Sequence, residues 1–582
     1  MTPLTRGPRR PHLPRPLALT RLVATVLTLG GVACGGSEPR PGAEPAPASA
    51  SAPAGTAAAA GSNVAAPIEL GDLTFETSGA AAAQPHFLRG VAWLHSFGYE
   101  DAIQAFRAAQ AADPSFALAY WGEAMAFSQP LWFFEDPDKG RAALAKLGAS
   151  PQARIARGKT PREQDYLRAV EALWGEGSRS QRLQAFASAM GALAATNPAD
   201  DEAQVFHALA LLGTLPTGDA SLPLRERAGR IAEGVFAKNP RHPGAAHLIL
   251  HAYDHGTLAP RALSAAKAYA AIAPASSHAL HMPAHLFLQL GMWHEAAASD
   301  RASWQASVDW VTRGGRTIVQ RDFHSLTWLH YELTQLGRFE EARTVAREIE
   351  APLQQARAGD VIGGHHYGDS EIGRGSGPLA LQNDKGSMRA RAVVESEQWQ
   401  EMAGQSSFDN LDELFVVGVA ALRLKDAPRA LAVRGELQKA SAPQMEAGLR
   451  EQASILLLEL EAVAAIVDDL PGVAFSKMDE AVRLQDRMPK PIGRPFPVKG
   501  ADELYGELLL EVGRAREAVT WFERALTRTP NRSRAVLGLA RAAGKAGDRA
   551  KSRAAWQQFL ANWATADPDR PELAEARAAL AR

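Results

Sequence analysis

Hydrophobic and polar positions divide the chain into three regimes. Leu22 to Ala33 is an apolar run, LVATVLTLGGVA, too short to span a bilayer as a permanent helix. From Gly35 to about Ala66 bulky apolar residues almost vanish, as in PRPGAEPAPASASAPAGTAAAAG. Such a stretch has little to bury against the entropy of ordering and predicts a disordered Ala/Pro/Gly/Ser tether. Beyond residue 85, Ala, Leu, Arg and Glu dominate and alternating β-branched runs are nearly absent. These helix formers predict an all-α remainder.

The helical part repeats itself. In FLRGVAWLHSFGYEDAIQAFRAAQAADP (87–114), Gly90, Ala102, Phe106, Ala109 and Pro114 have the same spacing as Gly506, Ala518, Phe522, Ala525 and Pro530 in LYGELLLEVGRAREAVTWFERALTRTP (504–530). Two antiparallel helices joined by a short turn need small residues where they approach most closely. Gly90/Ala102 and Gly506/Ala518 supply that pair, Phe106 and Phe522 fill the space toward the next hairpin, and Gly98 and Gly513 mark the turns. Pro114 and Pro530 close the second helix, which proline cannot continue. Weaker copies of the twelve-residue pair are Ala284/Ala296, Gly418/Ala430, Ala462/Ala474 and Ala540/Ser552.

On these residues the chain resembles the tetratricopeptide repeat (TPR) family. The resemblance implies a superhelical array of antiparallel helical hairpins, here a degenerate TPR-like solenoid, with a concave groove used to bind peptides or proteins. In the copy at 323–342 the partner of Ala342 is His330, where a small residue is expected. Either that hairpin opens or the register shifts. GDVIGGHHYGDSEIGRGSGP (359–378) interrupts the array as a Gly-rich loop, or as a lid carrying His365, His366, Tyr367 and Asp369. The aromatic run with Tyr120, Trp121, Trp132 and Phe133 fills the core between hairpins or lines a groove.

Charge sharpens the reading of the first regime. Arg6, Arg9, Arg10, Arg15 and Arg21 are the only charged residues before position 34. A basic stretch, a short apolar run and a small-residue end make a secretory signal. Cys34, the single cysteine of 582 residues, ends that run and excludes an intramolecular disulfide. GVAC followed by GGSE resembles the lipobox of bacterial lipoproteins, although Gly31 stands where that family prefers Leu. The resemblance implies lipidation at Cys34, a bacterial source and an envelope location; an ordinary signal peptide with a chance cysteine is the alternative. The domains read as a signal peptide (1–33), the lipidated cysteine and tether (34–84), an N-terminal repeat region (85–358), an irregular Gly-rich loop (359–390) and C-terminal repeats (391–582). A net charge of -1 argues against binding nucleic acid by phosphate neutralisation.

Chemistry is sparse until the histidines. HExxH and GxSxG are absent. GLARAAGKA, from Gly538, misses the phosphate-loop spacing, and GRGSG lacks a preceding strand. Ser264 and Lys267 form a chance SxxK. No nucleophile, paired carboxylate or general base stands out, so no catalytic residue and no small-molecule substrate are assigned. Of 16 histidines, eight lie between His242 and His294. His247, His251 and His255 recur every four residues, within about 80° of one helical face, and Asp254 stands beside them to orient an imidazole. His278, His281 and His285 share a face if their helix is continuous, but Pro283 lies among them, so that helix either kinks or begins there. His324 and His330 are reserve ligands. Three histidines, or two with Asp254, meet the ligand count for zinc, with copper or nickel also possible; buried packing is the competing use of the same residues.

Three functions follow. The leading one is an envelope-anchored scaffold or adaptor that binds a protein or peptide partner. The second is a metal-binding protein, or metal-dependent enzyme, using the His247–His285 cluster and a divalent transition metal such as zinc. The third is a pH-responsive binder.

Overall fold

A computed structural model describes residues 69–581 except 133, 217, 361 and 364–376. The signal, Cys34 and most of the tether, and the loop residues His365, His366, Tyr367 and Asp369, lie outside the described residues. Among the described residues no helix is long and apolar enough to cross a membrane.

Helices make up nearly all of the fold; two short strands, Ser128–Gln129 and Phe134–Glu135, form the exception as an antiparallel pair. The helices pack as successive antiparallel neighbours along the chain, as a TPR-like solenoid requires. The quoted repeat gives Gln84–His95 against Tyr99–Ala112, and its distant copy gives Ala501–Glu511 against Ala515–Arg528. The glycines work through space. A Cβ at Gly90 would stand 2.7 Å from the ring of Phe106, and one at Gly122 in the following helix 2.3 Å from it. Gly506 and Gly538 flank Phe522 in the same way, at 3.1 and 2.2 Å. Each phenylalanine is thus held between two glycines of successive hairpins, and Ala102 and Ala518 are fully buried at the helix contact.

The His330 hairpin stays closed. Phe323–Gln335 and Phe339–Arg347 pack on either side of Gly337, with His330 and Ala342 both fully buried. The array resumes at Pro378 with the helix Pro378–Ser396, inside the stretch 359–390 read as irregular. Tyr120, Trp121 and Trp132 are buried in the largest core cluster rather than exposed in a groove.

The solenoid also folds back on itself. Turns at Gly291 and Gly337, both at positive φ, receive the C-terminal hairpins. A Cβ at Gly291 would meet Asn531 at 2.4 Å, and one at Gly337 would meet Trp563 at 2.6 Å, so both conformation and space demand glycine. Asn531 Nδ2–H donates to Gly291 O (2.8 Å), Trp293 Nε1–H to Asn531 O (2.7 Å), and Ser533 Oγ–H to Gln335 O (2.6 Å). Beneath this seam Arg532 is buried between Glu395 (2.7 Å) and Glu503 (2.6 Å) and donates to Tyr331 Oη at 3.0 Å. Burial opposes ionisation of Glu503, yet Arg532 and Lys499 hold its pKa at about 2.

Candidate metal centre

Two helices carry the histidine cluster. The first, Pro243–Tyr253, begins at His242, whose Nδ1 accepts the Ala245 N–H (3.2 Å), with Pro243 in the first helical position. It ends at Tyr253, because Asp254 leaves helical geometry with ψ 72° and Arg225 donates to the His251 carbonyl at 2.9 Å. His247 and His251 therefore share a face, but His255 does not continue it. That corrects the expected three-turn row: His255 Nδ1 accepts instead from the Thr257 N–H at 3.3 Å.

The second helix, Ser277–Gln289, neither breaks nor begins at Pro283; it runs through it. Proline removes one backbone bond and pushes the preceding turn open. The facing helix Trp293–Arg313 meets that turn with serines. Ser303 Oγ–H donates to Ser277 O (2.7 Å), and Ser299 Oγ–H donates to Leu280 O. His278, His281 and His285 are held on this tied segment, with Ser276 capping its start through the Ala279 N–H (3.2 Å).

The histidines sort across the helices rather than along them. His247, His251 and His278 form one group, and His281, His285 and His324 a second; within each, one ligand atom per residue lies within 4.8 Å of the others. The reserve residue His324 thus joins the cluster. In the first group His247 Nε2 and His278 Nε2 are 2.9 Å apart. His247 Nδ1 sits 2.5 Å from the His95 carbonyl oxygen, which can only accept, so Nδ1 carries the proton and Nε2 presents its lone pair. His251 Nε2 is buried with no hydrogen-bond partner. Burial first, then His247, His285 and Arg225, drive its pKa well below the usual imidazole value. Phe97 stacks on His251 and His278, Tyr269 stacks on His247, and Trp132 stands edge-on to His278.

In the second group His281 Nε2 and His285 Nε2 also face each other at 2.9 Å. Behind them are carboxylates: His281 Nδ1 is 2.5 Å from Asp300 Oδ1, and His285 Nδ1 is 2.9 Å from Asp254 Oδ2. Gln289 Nε2–H donates to the other Asp254 oxygen at 2.5 Å. Asp254 is therefore an orienting partner, as its position beside the row suggested, and it serves His285 rather than a neighbour on its own helix. Trp328 stacks on His285 with centroids 4.4 Å apart. Asp300 is fully buried, and burial followed by Glu332 and Asp322 raises its pKa well above the carboxylate range. Burial lifts Glu332 to about 8. Both carboxyl groups are thus pushed toward the protonated form.

A third cluster, His95, Glu202 and His242, is closed. Glu202 Oε2 lies 2.6 Å from His95 Nε2, and Oε1 lies 3.2 Å from His242 Nε2. Burial works against the charge, but the two imidazoles hold Glu202 ionised with a pKa of about 2. Its ring nitrogens are turned to the carboxylate, so this trio braces three helices and positions the His95 carbonyl for His247. His330 stays outside all three groups. It is fully buried, and desolvation, then Arg391 and Arg494, lower it to about 3.

Sequence reasoning did not single out His95, Glu202, Asp300 or Glu332. Asp300 had a readable signal: with Ser299, Ser303 and Ser307 it forms a polar stripe at helical spacing on an alanine-rich helix, and all four are buried.

Neither a family model nor a curated protein matches the chain. Solved structures do match. That of Naa15/Naa10 bound to HypK-THB is 12% identical, covering 86% of this chain and 91% of its own, with a TM-score of 0.24. The TPR domain of P58(IPK) is 15% identical, covering 80% and 99%, with a TM-score of 0.21. The APC/C hetero-tetramer Cut9–Hcn1 is 12% identical, covering 86% and 97%, with a TM-score of 0.26. Likenesses this distant pass no function to the chain.

Proposed function

We propose that the chain is a metal-binding helical-repeat protein whose His281/His285/His324 group holds a divalent transition-metal ion. The observation that carries this is the pair of Nε2 atoms 2.9 Å apart, each on a ring whose Nδ1 faces a carboxylate. With both Nδ1 atoms protonated, the two Nε2 lone pairs at that distance form a site for a cation. A shared proton serves two nitrogens; a metal serves three, and His324 supplies the third. Metal–imidazole bonds of about 2.0–2.1 Å put ligand nitrogens about 2.9–3.4 Å apart. Imidazole donors suit zinc, copper(II) or nickel(II), and the described residues supply three of them. Zinc loading of the full chain followed by elemental analysis and calorimetric titration tests this. Retained metal, with affinity reduced at least 100-fold in His285→Ala, is the expected result; absence of metal after loading would overturn it.

A second reading, the partner-binding scaffold, draws on a cavity of about 570 Å³ within the C-terminal repeats. Arg423, Arg541 and Lys545 share its lining with Trp399, Phe415 and Leu537, the mix of charge and apolar surface that recognises a ligand. Affinity capture with wild-type protein and with Arg541→Glu/Lys545→Glu separates a partner held in this cavity from one bound elsewhere. Envelope anchoring through Cys34 belongs to the same proposal. Its check is lipid labelling, lost in Cys34→Ser.

A further inference from the structure

We infer that the His247/His251/His278 group is a second metal site, and that the two groups together form a two-ion centre. The inference rests on the metal reading of the His281/His285/His324 group and extends it to residues that reading does not use.

Three observations carry it. First, His251 Nε2 is buried, without a hydrogen-bond partner, in the group that faces His247 and His278. An unpaired buried imidazole nitrogen is costly, and a metal ion is the partner that the other two nitrogens also accommodate. Second, the His247 tautomer is fixed by the His95 carbonyl, so its Nε2 turns a lone pair toward His278 Nε2, 2.9 Å away, where a metal ion can take it. Third, the two groups are joined through shared elements. His278 and His281 stand three residues apart on one helix, about 4.5 Å along its axis. His251 and Asp254, which backs His285, lie at the end of another.

The test is a titration of the full chain with zinc, and with copper(II) followed by electron paramagnetic resonance. Two ions per chain are expected. His251→Ala should bind one ion, at the His281/His285/His324 group, and His324→Ala should bind one, at the His247/His251/His278 group. At two equivalents of copper the wild-type spectrum should show coupling between ions. One ion at saturation, two ions retained by His251→Ala, or two uncoupled copper signals would each overturn the two-ion centre while leaving a single site intact. No bound ion at all would overturn the metal reading itself. The spectrum needs only wild-type protein, so a variant that fails to fold does not blunt the test.

Discussion

At the scale of single residues, the centre is governed by what stands behind each imidazole. Asp254→Asn removes the charge that orients His285 without changing side-chain volume much. It should weaken metal binding at the His281/His285/His324 group about 10–100-fold, read by calorimetric titration. Asn at a non-ligand position leaving affinity unchanged would show that the carboxylate does not act through His285. Glu332 makes a prediction of opposite character. Its folded pKa of about 8 lies above the unfolded value near 4.5, so the native state binds the extra proton. Its contribution is fully present below about pH 4.5 and is lost as pH rises through 8. Thermal melts should show stability falling over that window. Glu332→Gln should flatten the fall by an amount on the order of a few kcal/mol. His330 runs the other way: lowered to about 3, it favours the folded state above pH 6.5, and that advantage fades on acidification.

At the scale of elements, the repeat was legible and the site only in part. Twelve-residue pairs of small residues and the phenylalanine four positions later are local spacings, so Gly90, Ala102 and Phe106 announce their hairpin from sequence alone. Phe522→Ala should cost about 3–5 kcal/mol in chemical denaturation, since both flanking glycines leave a void nothing else fills. Helical periodicity placed His247 with His251 but extended the row to His255, because nothing local marks the helix end. Arg225, which takes the His251 carbonyl of its last turn, lies 26 residues upstream. Pro283 misled in the same way. Its disruption is absorbed by Ser299 and Ser303 of the next helix, a compensation visible only when both helices are in place. Pro283→Ala should restore a backbone bond and raise the melting temperature, proline in a helix interior costing about 3 kcal/mol. The same change should lower metal affinity if the opened turn sets the His278 and His281 rings. Unchanged affinity would leave the proline a purely structural feature.

At the scale of the whole molecule, the resemblance implied a superhelix with a concave groove, and the seam at Gly291 and Gly337 clasps its C-terminal hairpins back onto it. Gly337→Val should loosen the seam, with positive φ and the Trp563 ring both opposing a side chain. Limited proteolysis should then release the C-terminal hairpins before the N-terminal ones. Open solenoids come apart repeat by repeat; a clasped one has a different history. Asn531 and Gly291 are 240 residues apart along the chain, and contacts of such separation are slow to find because the intervening loop must close first. The hairpins around the histidines can form from local contacts long before that encounter. Metal present during refolding would then reach its ligands while the clasp is still open, and metal added afterwards would meet a closed door. The order of addition, rather than the final composition, would decide how fast the centre fills.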